Sequence, residues 1–185
     1  MAKYDFEIPK LQEYPEVPEL VDGTMDHMET FKAKPEFQEA LGFQGQLEDN
    51  WKEQALDAMG DLLGKYRSLR VYLDSCVKCG ACTDKCHYYL GTKDPKNMPV
   101  ARQDLLRKVY RRYFTFAGKY FPKLVGATDL TEEVLDDWYN YYHQCSQCRR
   151  CSVFCPYGID TAEISIAARE IMDRIGLGDK YSNEI

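Results

Sequence analysis

Two short stretches hold every cysteine in the chain. "CVKCGACTDKCH" begins at Cys76 and "CSQCRRCSVFCP" begins at Cys145, and together they account for all eight cysteines. Both runs keep one rhythm: two residues, two residues, then three residues between successive cysteines. The N-terminus, "MAKYDFEIPK", has no apolar stretch behind its lysine, so it does not read as a secretory signal. Disulfides are rare in the reducing cytoplasm, and clustered thiols there read as metal ligands. A zinc site uses cysteine pairs separated by a longer stretch, closing one tetrahedral set. Three cysteines at two-residue gaps fit a different geometry. Such a loop winds round one corner of a cube and presents three thiolates to three irons. The cysteine three residues further on points away and is too constrained to close the same cube.

The duplication answers that shortage. In two-cluster ferredoxins the fourth cysteine of each run ligates the other cluster. The spacing therefore predicts two [4Fe-4S] clusters, one on Cys76, Cys79, Cys82 and Cys155 and the other on Cys145, Cys148, Cys151 and Cys86. Such crossing stitches distant parts of the chain together and makes folding depend on metal. Gly80 and Ala81 leave backbone N–H groups near the sulfurs, and Pro156 follows Cys155 as in the bacterial ferredoxin run. His87 stands where the first run lacks that proline, and it reads either as a packed imidazole or as a donor to a cluster sulfur. Arg149 and Arg150 sit inside the second run, where cations would raise the potential of its cluster. The competing readings are a zinc-stabilised interaction module and, more remotely, a disulfide framework.

Around the runs the chain reads as all-α. Residues 1–46 contain Pro9, Pro15, Pro18 and Pro35 and little periodicity, which predicts an extended docking arm ahead of a domain over 47–185. From Leu47 to Leu73 apolar residues recur every three or four positions, which predicts a helix bent or broken near Gly60 and Gly64. A second helix is expected over Val100–Ala117. A third starts from an N-cap at Thr131, and a fourth from a capping box at Asp160 to Glu163, ending at Gly176. The stretch "GTKDPKNMP" reads as a loop. Charge is uneven: residues 1–60 hold 14 acids against five bases, and residues 98–125 hold seven bases against Asp104 alone. The basic, aromatic "LLRKVYRRYFTFAGKYFPKL" reads as a face for a protein partner, with a membrane-surface segment or a core helix whose basic stems snorkel as the alternatives. An acidic chain of pI ≈ 5.2 argues against nucleic acid binding. The apolar runs are too short for a membrane span.

Several stretches carry a family resemblance. "CVKCGACTDKCHYYLGTKDPKNMPV", "YRRYFTFAGK", "QCSQCRRCSVFCPYGIDTAEISIAARE" and the arm "YDFEIPKLQEYPEVPEL" resemble the N-terminal ferredoxin part of the DsrK-type, heterodisulfide-reductase-like iron–sulfur subunits. The resemblance implies an α-helical ferredoxin on the cytoplasmic side of a membrane redox complex. Its partners would be a haem b-containing, quinone-reactive membrane subunit and a small sulfur-carrier protein of the DsrC type. Electrons would pass from menaquinol towards a site that reduces a sulfur-carrier trisulfide or disulfide. That family builds its catalytic site from Cys-Cys-Gly motifs in a later domain. These 185 residues contain no adjacent cysteine pair, so no catalytic residue is expected among them. A small electron-transfer subunit of a soluble heterodisulfide-reductase-like enzyme is the alternative.

Overall fold

The computed structural model describes residues 47–178. The arm expected over 1–46, and residues 179–185, lie outside them. Among the described residues the chain is helical and contains no strand. The helices are α1 (Trp51–Lys65), α2 (Arg67–Ser75), α3 (His87–Thr92), α4 (Pro99–Phe114), α5 (Phe116–Tyr120), α6 (Pro122–Val125), α7 (Glu132–His143), α8 (Arg150–Val153) and α9 (Thr161–Arg174).

Helix α9 lies at the centre. It packs against α1, α2, α4, α7 and α8. Its sequence explains why. Ala162, Ser165, Ala167 and Ala168 are small and buried, so neighbouring helices approach closely, while Ile164, Ile171 and Met172 fill the space between them. Ala55, Ala58, Met59 and Leu62 of α1 meet it at helical spacing, and Leu106, Leu135 and Trp138 complete one continuous core. Asp160 caps α9 by accepting from the Ala162 and Glu163 N–H groups. The reciprocal half of the expected capping box does not form, because the Glu163 carboxylate accepts from Ser68 Oγ instead. At the other end Gly176 takes φ 86. The Gly176 N–H donates to Asp173 and the Leu177 N–H to Met172, which closes the helix in a Schellman motif.

Two helix boundaries differ from the sequence expectation. The helix expected from Leu47 to Leu73 is broken, but α1 runs through both Gly60 and Gly64. The break falls at Tyr66, whose backbone is extended. Met59 and Leu62, buried against the core, hold the glycine-bearing turns helical. The helix expected over Val100–Ala117 stops at Phe114. There Thr115 Oγ1 donates to the Arg111 carbonyl and accepts from the Gly118 N–H, which starts α5. A Cβ on Gly118 would stand 1.8 Å from the Arg111 carbonyl oxygen, so only glycine permits that turn. The Thr131 cap of α7 forms as expected, on the Val134 N–H. The "GTKDPKNMP" loop is ordered: Lys93 closes α3 in the left-handed region, and Asp94 caps a turn of 3₁₀ helix over Pro95–Asn97.

The basic segment divides in two. Its first half is core, with Leu106, Val109 and Tyr110 buried along with the arginines Arg102 and Arg107. Its second half forms an exposed knuckle of α5 and α6, where Phe116, Tyr120, Phe121 and Leu124 stand out in solvent beside Lys119 and Lys123.

One tyrosine joins α7 to α4. The fully buried Tyr142 hydroxyl accepts from the Leu106 N–H (2.9 Å) and donates to the Arg102 carbonyl (2.8 Å). Those two groups stand four residues apart on α4 and would otherwise form one rung of its ladder. Tyr142→Phe leaves the bridge without its oxygen while keeping the ring. We expect a loss of about 1–2 kcal/mol, measured as a fall in the anaerobic thermal midpoint with helical circular dichroism retained at room temperature.

Candidate metal centre

Each cysteine run begins where a helix ends. Cys76 follows α2 directly, and Cys145 follows α7 after Gln144. The backbone then takes the same path twice. The second residue after the first cysteine is left-handed in both runs, at Lys78 (φ 56) and Gln147 (φ 58). The fourth is left-handed too, at Gly80 (φ 79) and Arg149 (φ 58). Left-handed residues in so short a loop curl the chain into a concave nest whose N–H groups suit an anion. Glycine is used once for this path. Arg149 follows it at a conformational cost of about 1 kcal/mol.

The thiols are graded by depth. Cys79 and Cys148, second in each run, are exposed, while Cys86 is buried. A shallow, open hollow is lined by Cys76, Cys79 and Cys82 from the first run and by Cys151 and Cys155 from the second. Val100 and Ile159 form apolar parts of its wall. This brings together the four cysteines expected for the first set, with Cys151 at the side towards the second run.

The second expected set draws on Cys86. Two hydrogen-bonded links join its surroundings to the start of the second run. Asn97 Nδ2 donates to Gln144 Oε1 (2.9 Å), and the Asn97 carbonyl accepts from Cys86 Sγ at 3.8 Å. Beside Cys86, His87 Nε2 lies 3.5 Å from Ser146 Oγ. His87 is exposed and tilted against the Tyr88 ring, a surface link between the runs.

Three guanidinium groups hold these loops from below. Arg107 Nη1 donates to the Cys76 carbonyl (2.7 Å). Arg169 Nη2 donates to the Cys145 carbonyl, and its Nε to that of Tyr142 (3.0 Å). Arg102 Nη2 donates to the Asn97 carbonyl (3.1 Å), the same oxygen that faces Cys86. The sequence pointed to Arg149 and Arg150 as the cations near the second run. Arg150 is exposed, and Arg149 is mostly exposed and paired with Asp160 at 3.3 Å, which offsets its field. Nothing in the local sequence marks Arg107 or Arg169, because both come from helices far along the chain from the cysteines they touch. Asp160 does more than cap its helix. It also accepts from Ser152 Oγ (2.7 Å), so one carboxylate ties α8 and the second run to the start of α9.

The donor set fits an iron–sulfur group. All eight cysteines are free thiols, soft ligands of the kind such clusters take, and five of them line the hollow. Arg102 Nε and Arg107 Nε are buried without an acceptor among the described residues, on the two arginines that hold the Asn97 and Cys76 carbonyls. Without metal, burial and then the neighbouring Cys151 push the Cys82 thiol from 9.0 up to about 11. Burial also raises Cys151. The metal-free fold therefore loses stability as pH rises from 9.0 towards 11, whereas metal loading, which needs thiolates, is favoured by the same rise.

Fold and thiols together define an α-helical iron–sulfur domain. Residues 72–159 match the 4Fe-4S dicluster domain family. Over 135 residues, 73% of its length, the chain is 60% identical to the Hdr-like menaquinol oxidoreductase iron-sulfur subunit 2 of Archaeoglobus fulgidus. It is 56% identical to the corresponding subunit of Archaeoglobus profundus over the same length. A subunit of the dihydromethanophenazine:CoB–CoM heterodisulfide reductase of Methanosarcina acetivorans is 29% identical over 106 residues, 57% of the chain and 25% of that protein. The chain is thus a homologue of the heterodisulfide-reductase-like iron–sulfur subunits. It spans 24% of the Archaeoglobus proteins it matches. No solved structure matches it.

The Asp160 junction yields a graded test. Asp160→Ala removes the cap, the Ser152 bond and the Arg149 partner, and should cost about 1–2 kcal/mol. Asp160→Asn keeps a capping oxygen and should cost less than half as much. Urea unfolding midpoints measure both, and equal losses would mean that the ion pair, not the cap, is what matters.

Proposed function

We propose that this chain binds two [4Fe-4S] clusters in crossed sets and relays electrons within a membrane-associated oxidoreductase. The first set is Cys76, Cys79, Cys82 and Cys155; the second is Cys145, Cys148, Cys151 and Cys86. The observation that carries the reading is the hollow in which Cys155, together with Cys151, of the second run meets the first three cysteines of the first. The Asn97 and His87 links beside Cys86 support the second set in the same way. When bound, each cluster supplies one-electron chemistry.

The chain's own residues would do three things. The concave loops direct backbone N–H groups at the sulfurs, which stabilises negative charge. The helices behind them, through Arg107 and Arg169, fix where each loop starts. Cys79 and Cys148, the exposed corners, mark where electrons can enter and leave with the shortest path to solvent-side partners.

The wider setting follows from the relatives. The names of the Archaeoglobus relatives favour menaquinol as the electron source. The haem b-bearing membrane subunit and the catalytic site that reduces a sulfur-carrier trisulfide or disulfide are proposed from the family resemblance of the sequence motifs. No helix among the described residues is long and apolar enough to cross a membrane, so attachment at the inner face would run through partner subunits. The bare aromatic knuckle of α5 and α6 suits contact with such a partner. Residues 1–46 would serve as a second docking element.

Anaerobically purified chain should contain about eight irons and eight sulfides and absorb broadly near 400 nm. Cys86→Ser should perturb the cluster built on Cys145, and Cys155→Ser the one built on Cys76, as read by EPR of each reduced variant. Damage confined to the cluster of the mutated run would refute the crossed scheme, and a colourless zinc-containing chain would refute the cluster reading itself.

A further inference from the structure

We infer that Arg107 and Arg169 form a matched pair of tuning residues, each raising the reduction potential of the cluster whose run it anchors. The inference rests on the two-cluster reading and goes beyond it. Its starting point is an equivalence that the sequence does not display. Arg107, from α4, donates to the carbonyl of Cys76, and Arg169, from α9, donates to the carbonyl of Cys145. These are the first cysteines of the two runs, so each run has one guanidinium at the same place.

Both cations sit where charge is expensive. Arg107 is 5% exposed, and Arg169 is half-buried. Among the described residues neither forms an ion pair; the pairs there involve Lys78, Lys85, Lys96, Lys108, Arg112, Arg149 and Arg174. Two acids act on Arg107 from further off, and both have other partners. Asp104 holds Lys78 at 2.8 Å and Lys108 at 3.8 Å, and Asp74 accepts from Tyr110. Burial works against each cation, and a neighbouring cation adds to that in both places, Arg111 at Arg107 and Arg102 at Arg169. What favours them is thiolate charge, at Cys76 for Arg107 and at Cys145 for Arg169. A buried cation with no fixed carboxylate needs an anion to offset its desolvation. A thiolate-ligated cluster is such an anion, and the Nε–H of Arg107 is buried without an acceptor among the described residues.

The direction of the effect follows. Reduction adds one negative charge to the cluster, and a buried cation nearby stabilises that state more than the oxidised one. Solvent and salt screen the buried Arg107 little, and the half-buried Arg169 less than the exposed Arg149 and Arg150. Arginine keeps its charge even when burial disfavours it. Glutamine in either place removes the charge and, being shorter, also gives up the bond from Nη to the carbonyl. Lysine keeps the charge.

The test is an anaerobic, mediator-equilibrated EPR redox titration of the purified chain and its variants, with iron and sulfide measured on each sample. Two waves and full iron content in the parent establish the two-cluster reading before any substitution is scored; their absence is a failure of that reading alone. In Arg107→Gln we expect the reduced-to-oxidised ratio of one cluster to fall about tenfold at fixed potential, or ~59 mV for a one-electron couple. Arg169→Gln should produce the same fall in the other wave. Arg107→Lys and Arg169→Lys should stay near the parent. Unshifted waves in iron-replete glutamine variants would overturn the inference, as would both variants moving the same wave. Should a glutamine variant lose its cluster, the lysine variant at that position decides: a parental potential supports the role, and a tenfold fall overturns it.

Discussion

Helix α9 is the constraint on which the rest of the structure depends. Its small residues let α1, α2, α4 and α7 close round it, so whatever it carries is fixed with the rigidity of the core. It carries a great deal. Asp160 at its start holds the second cysteine run through Ser152 and Arg149, and Arg169 in its third turn holds that run's first carbonyl. Glu163 reaches Ser68 on the helix leading to the first run. One buried helix thus touches both ends of the second thiol loop and the approach to the first. Cys76 and Cys155 pack against the core from the loops. The rest of the loop geometry is inherited from the core through polar side chains.

That arrangement explains what the sequence disclosed and what it did not. The thiol spacing is a local pattern, so the shared path of the two loops and the gathering of Cys155 near the first run could be anticipated from it. Periodicity and caps likewise announced the helices, with Thr131 and Asp160 at their expected starts. The misplaced features are those decided by tertiary packing. Core contacts at Met59 and Leu62 carried α1 past two glycines, and the close approach of Gly118 to Arg111 ended α4 early. The arginines depart from expectation for the same reason. Charge pattern alone makes Arg102 and Arg107 part of a basic surface, yet both lie under the loops, and only the fold brings them to carbonyls far along the chain.

The two halves of the site are alike in plan and unlike in detail. Gly80 meets a left-handed position without strain, while Arg149 meets its equivalent with a side chain and a counter-ion. The first run ends in the buried Cys86 with His87 opening a helix, and the second ends at Cys155 with Pro156 and Tyr157 at the mouth of the hollow. Two identical nests would give two similar environments. The differences in burial and in nearby cations give the two nests different surroundings.

The knuckle formed by α5 and α6 has a practical consequence for handling the molecule. Phe116 and Leu124 are its most exposed large apolar side chains, and Gly118, between them in the chain, makes the close turn against the Arg111 carbonyl. Together the two side chains make an exposed greasy point. Produced in isolation, the domain will tend to self-associate through it as concentration rises, and detergent or a co-produced neighbour will keep it dispersed where added salt will not.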